Sequence, residues 1–181
     1  MIACEKSVQH FICLYNNFEI IWQRVIQTTN DLSTIESSLS VSLKCIEYSY
    51  KVNYLDPVHR ILASICGMTI LDDKTMSFNH KEYLLLKAII TLIQKDGSIL
   101  TDFWNLLFET LSKCYHTASN KRNDFDKKAL FLIQPSILSF VYNINDNNFL
   151  KLFKILFDLS KEETRNMHKN PVQNLWLMKA L

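Results

Sequence analysis

The chain has almost no glycine or proline. There are 2 Gly and 3 Pro in 181 residues, where average usage gives roughly 12 to 13 and about 9. Sandwiches and barrels of short strands need such residues at roughly every tenth position to turn the chain, so an all-β fold is excluded. Phosphate-cradling loops need clustered glycine, yet Gly67 and Gly97 stand 30 residues apart. Paired cysteines are missing as well. Cys4, Cys13, Cys45, Cys66 and Cys114 are odd in number and contain no Cys-x-x-Cys, so neither a zinc knuckle nor a redox dithiol is signalled. They sit among apolar residues, as in Phe11-Ile-Cys-Leu14 and Ser64-Ile-Cys-Gly67. That fits five buried free thiols in a reducing, intracellular compartment, cytoplasmic or nuclear. No apolar run approaches the ~18 residues that span a bilayer. The segment after Met1 carries Glu5, Lys6 and His10 instead of a signal-peptide core, so no membrane contact is expected.

Strong charge of one sign is also lacking. The formal net charge is +2, too small to mark the whole molecule for nucleic acid. The charge is uneven, however. Residues 1–109 hold 9 Lys/Arg against 12 Asp/Glu, and residues 110–181 hold 11 against 6. An acidic partner or a phosphate backbone would meet the C-terminal half.

What the chain does have is apolar residues, 48% of the total, recurring at helical spacing. Residues 5–29 read as one helix or two, with Val8, Phe11, Ile12, Tyr15, Phe18, Ile21, Trp22, Val25 and Ile26 recurring at helical steps as one apolar stripe and a bend expected at Asn16-Asn17. Ser33-Thr-Ile-Glu36 resembles a capping box for a helix reaching Lys51. Asp56-Pro57 starts another, Val58 to Leu71. After the polar loop 72–77, Asn79 caps a helix with Glu82 at its third position, ending at Gln94 before Asp96-Gly97-Ser98, where Gly97 suits a left-handed helix end. Gly67 falls mid-helix and is expected to permit close helix packing. Helices follow at about 100–116 and at 125–143. Pro135 lies inside the second of these, where a kink or break is expected. Asp146 caps a helix 147–161, with Glu162-Glu163 in a first turn beyond it, and Asn170-Pro171 opens a last helix containing Trp176. The abrupt end at Leu175-Trp-Leu-Met-Lys-Ala-Leu181 fits a fragment or the C-terminal part of something longer.

These helices pair. First members begin near residues 33, 79 and 124, and second members near 57, 99 and 146. Leu106-Leu-Phe-Glu-Thr-Leu-Ser-Lys113 echoes Ile155-Leu-Phe-Asp-Leu-Ser-Lys161. A helix–turn–helix unit of roughly 40–47 residues is the period of HEAT and armadillo arrays. Over residues 32–161 the chain resembles a divergent HEAT/armadillo-type α-solenoid. The resemblance implies one all-α domain over 1–181 of seven to eight helices in right-handed, stacked antiparallel pairs, with a compact helical bundle as the alternative. It also implies protein-binding surfaces, and assigns no individual residue a function.

Catalytic and metal motifs are absent. No two of His10, His59, His80, His116 and His168 are spaced i,i+4, and no His-Glu-x-x-His occurs. Cys114 and His116 point to different helix faces. Asp72-Asp73 lacks the third ligand and glycine of a calcium loop. No enzyme and no cofactor is expected. Phe149, Phe153 and Phe157, at four-residue steps, read as core. Two clusters read as contact surface. Lys121, Arg122, Lys127, Lys128, Lys151 and Lys154 would share one basic edge if their helices lie side by side. Tyr48, Tyr50 and Tyr54 gather at a helix end. The function expected is a non-enzymatic scaffold or adaptor of an intracellular complex, binding a helix or acidic peptide of another protein. The alternative is a nucleic-acid-associated module, of the genome-maintenance kind, using the basic C-terminal half.

Overall fold

The computed structural model describes residues 2–69, 77–97, 100, 103–119, 123–140, 144 and 146–167. These residues form seven helices and no strand: α1 (Ile2–Thr28), α2 (Leu32–Lys51), α3 (Asp56–Thr69), α4 (His80–Asp96), α5 (Trp104–Ser119), α6 (Asp124–Phe140) and α7 (Asp146–Met167). The all-α architecture in contacting pairs is as the sequence predicts. Lys121, Arg122, Asp72, Asp73, His168 and the expected C-terminal helix fall outside the described residues.

Every broad contact joins helices one or two places apart in sequence. Helices two apart run parallel. Tyr15 and Gln23 of α1 meet Pro57 and Ser64 of α3, and Phe78 and Gln94 at the two ends of α4 meet Asp126 and Ser136 of α6. In α3 and α5, His59 meets Phe103 and Cys66 meets Thr110. Sequential neighbours run antiparallel, as short connections require. Phe11 of α1 packs on Tyr48 of α2, and Trp104 at the start of α5 on Phe140 at the end of α6. The odd helices therefore form one layer and the even helices the other. Hydrogen-bonded partners between α1 and α3, and between α4 and α6, lie 41 to 48 residues apart. α4 sits in the middle of this arrangement. Leu84, Leu85, Leu86, Ala88, Ile89, Ile90, Leu92 and Ile93 are all buried, so the helix is apolar on nearly every side, as a core helix must be.

Caps explain why the even helices start where they do. Asp31 accepts from the Thr34 amide at 2.9 Å, so the cap of α2 lies two residues before the box expected at Ser33. Asn79 and Glu82 form the reciprocal box at α4, and Asn123 and Asp126 exchange the same two bonds at α6. The last pair also reaches across the layer. Asn123 Nδ2 donates to the Phe78 carbonyl and the Phe78 amide donates to Asp126, both at 2.7 Å. Asp126 is fully buried in this clamp.

Several local expectations are corrected. Of the one-helix and two-helix readings of residues 5–29, the structure has one, α1, continuous through Asn16-Asn17, where the Asn17 side chain donates to the Cys13 carbonyl. α6 runs through Pro135 without the expected break; Pro135 is exposed, so the donor lost there is one that would have pointed to the Phe131 carbonyl on the outer side of the helix. Gly97 ends α4 with right-handed dihedrals, φ −56° and ψ −33°; the left-handed position belongs to Asn53 at φ 53°. There Tyr54 N donates to Ser49 O and Asn53 N to Tyr50 O, a Schellman end for α2. α7 continues to Met167, which places Glu162-Glu163 inside it and not in a first turn. Cys66 and Cys114 are buried, but Cys45 is half-buried and Cys13 is exposed, because Cys13 falls on the outer side of α1.

Gly67 is exposed, and a Cβ added there meets nothing within 4 Å, so it does not serve close packing. Gly67→Ala should stabilise the chain by about 0.5–1 kcal/mol through helix propensity alone, read as a higher urea midpoint with an unchanged slope.

Candidate interaction surface

The described residues hold no group of three or more His, Cys, Asp or Glu side chains placed to bind a metal, and none of the described helices is long and apolar enough to cross a membrane. Burial pushes the Cys66 thiol up to about 11 and raises Cys114 further, against an ordinary value of 9.0. A nucleophilic thiol needs the opposite shift. Burial thus disfavours the thiolate at Cys114, and the ring of neighbouring His116 lies edge-on to Tyr115. His59 and His80 pack on Phe103 and Phe125. Tyr15, whose phenol is also raised by burial first and by Glu19 second, donates to the Pro57 carbonyl.

These shifts have a sign. Unfolded, the thiols lose their protons near 9.0; folded, Cys66 holds its proton to about 11. The unfolded chain then binds fewer protons, so stability is unchanged below about pH 9 and falls as pH rises from there through about 11. A thermal midpoint that drops over this window, together with native-state alkylation at Cys13 and not at Cys66 or Cys114, is the expected outcome.

The lysines expected to form a basic edge are placed as follows. Lys127 pairs with Asp124 at 3.2 Å, and Lys128 lies 5.0 Å above the Phe125 ring, both in the first turn of α6. Lys151 and Lys154 are exposed on α7, whose broad contact is with α5. Of the tyrosines, Tyr48 is exposed against Phe11, and Tyr50 and Tyr54 are half-buried.

The largest departures from a water-facing surface are apolar and lie at the two ends of the stack. On α1 the residues that bond α3 are Tyr15, Asn16, Glu19 and Gln23. At 3.6 residues per turn, Leu14 and Ile21 point the opposite way, and they are 70% and 63% exposed. Half-buried Phe11 and Phe18 lie beside them. On α2, Val41 and Tyr48 stand two turns apart and are also exposed. Phe11 meets Tyr48, so the antiparallel register sets Phe18 beside Val41. Phe11, Leu14, Phe18, Ile21, Val41 and Tyr48 thus form one apolar surface on the side of α1–α2 away from the rest of the chain. Periodicity passed over Leu14 and Val41 and put Ile21 on the same apolar stripe as buried Trp22, although Ile21 is exposed because its side of α1 faces away from α3; the one contact residue it singled out here was Tyr48. At the other end, Phe149, Phe153 and Phe157, expected in the core, are 41 to 51% exposed, and Phe131 of α6 is 77% exposed. The four-residue step reports a stripe on α7 but not a cover for it. α7 buries Leu152 and Leu156 instead.

No protein family, curated protein or solved structure matches this chain.

Proposed function

We propose that the chain is a non-enzymatic protein-interaction module of the HEAT/armadillo-like kind, acting as a scaffold or adaptor within an intracellular complex. The observation that carries this reading is the apolar α1–α2 face. A contiguous exposed patch of this kind marks a contact surface in a soluble protein. Its two-layer geometry fits one class of occupant, an amphipathic helix of a partner protein. Such a helix would lie along Leu14 and Ile21 on one side of α1 as α3 lies along Tyr15 and Gln23 on the other, with anchors spaced i, i+4 and i+7.

Affinity capture with the native chain tests the reading. Leu14→Asp with Ile21→Asp changes two exposed positions, so the helical circular dichroism and unfolding midpoint should hold while the partner is lost, with binding weakened at least roughly a hundredfold, the scale of a lost hot spot. Recovery of the same proteins by both forms would reject the α1–α2 face as the docking site.

A further inference from the structure

By composition residues 1–109 are the acidic part of the chain, with 9 Lys/Arg against 12 Asp/Glu. Yet none of the described carboxylates of α1 and α2 borders their outer apolar face. Glu19 of α1 pairs with Arg60 of α3 at 2.8 Å. Glu47 of α2 pairs with Lys95 of α4, and Glu36, eleven residues or three turns earlier, lies on the same side as Glu47. Asp31 accepts the Thr34 amide that it caps.

The cations lie the other way. Arg24 stands three residues past Ile21. Lys44 stands three past Val41 and four before Tyr48, and Lys51 three past Tyr48. Residues at these spacings are neighbours on a helix surface. All three cations are exposed, and none has an ion pair among the described residues. Half-buried Phe11 and Phe18 form an apolar floor between the exposed Leu14 and Ile21 of α1 and the exposed Val41 and Tyr48 of α2. Arg24 borders this groove on the α1 side, and Lys44 and Lys51 border it on the α2 side.

Resting on the docking site proposed above, we propose that the groove takes an amphipathic helix whose apolar stripe is flanked on both sides by Asp or Glu, from a protein other than this one. Two copies of this chain laid face to face would oppose like charges. Lys44 and Lys51 are seven residues apart, so carboxylates two turns apart on one flank of the bound helix meet both. Phe11 lies against Tyr48, so the antiparallel register sets Lys51 beside Val8. Arg24 is then about 24 Å from Lys51 along the groove, the length of a helix of about sixteen residues.

A displayed library of helices tests this against the full chain. Each member carries Leu at i, i+4, i+7 and i+11, with Glu or Lys drawn at random at the positions flanking that stripe. The expected result is enrichment of Glu at the flanks. Against Arg24→Glu/Lys44→Glu/Lys51→Glu the enrichment should reverse to Lys, and against Leu14→Asp/Ile21→Asp no helix should be recovered. Made as a labelled peptide, the selected acidic helix should bind the triple variant about tenfold more weakly or worse, and should weaken comparably for the native chain at ~1 M salt, where the screening length falls to about 3 Å. Should the triple variant lose helical circular dichroism, Lys44→Gln with Lys51→Gln should still weaken the acidic helix several-fold. Helices that depend on Leu14 and Ile21 but favour Lys, or favour neither charge, overturn the proposal and leave the docking site standing. A library that yields no helix dependent on Leu14 and Ile21 rejects the docking site and the proposal with it. Binding of phosphatidylserine vesicles with no helix selected would make the occupant a lipid surface, and overturns the proposal too.

Discussion

Asp126→Ala lowers the stability of the folded chain by about 3 kcal/mol, read as a fall in urea midpoint at neutral pH with an unchanged slope. The buried carboxylate accepts the Phe78 amide at 2.7 Å and the Asn123 amide at 3.3 Å, and alanine leaves both donors without it. Hydrogen bonds to a charged acceptor are worth about twice neutral ones, and an orphaned buried donor adds its own desolvation cost. Asp126→Asn should lose less, about half as much, because the amide oxygen still accepts one bond. A loss under about 1 kcal/mol for Asp126→Ala would show that the α4–α6 clamp is a consequence of packing and does not stabilise it.

Trp104→Ala should cost about 4 kcal/mol, in the range of large-to-small changes in a close-packed core. Trp104 is 1% exposed. Its ring lies 4.9 Å from Phe108 and 6.1 Å from Phe140, and its Nε1 donates to the Gly97 carbonyl at 3.2 Å. One side chain thus joins the end of α4, the start of α5 and the end of α6. Ile20→Ala, on the outer side of α1, is the control and should stay within about 0.5 kcal/mol. Equal losses at the two positions would contradict the placement of Trp104 at this junction.

Much of the fold is legible in the sequence because capping is local chemistry. Asn79 with Glu82 marks a helix start using residues within one turn of each other, and the structure puts α4 there; Asp56-Pro57 marks the start of α3, but Asp56 is its first residue and binds Arg60, so it does not serve as the expected cap. The readings that fail are those that depend on distant residues. Asp126 reads as a polar residue beside a loop, and its burial is set by Phe78, 48 positions away. Leu14 reads as an ordinary member of an apolar helix, and its exposure comes from α3 occupying the opposite side of α1. Phe153 and Phe157 read as core because spacing gives a stripe and says nothing of what lies against it. Gly97 reads as left-handed from residue type alone, but the chain leaves α4 through right-handed dihedrals, with Leu100 N bonding the Gly97 carbonyl.

Because the broad contacts among the described helices all join helices one or two places apart, little chain has to be closed into loops before native contacts form. Contacts of short sequence separation carry a small entropic barrier, so folding can begin at any neighbouring pair and spread outward. The same linear order governs loss of structure. Among the described helices α1 packs broadly on α2 and α3 and α7 on α5, whereas α4 is held by α2, α3 and α6 together, so opening at the α1 end costs less than opening at α4. The proposed docking face on α1–α2 therefore belongs to a part of the molecule that opens at lower free-energy cost than its middle, and a helix bound there would hold that part closed.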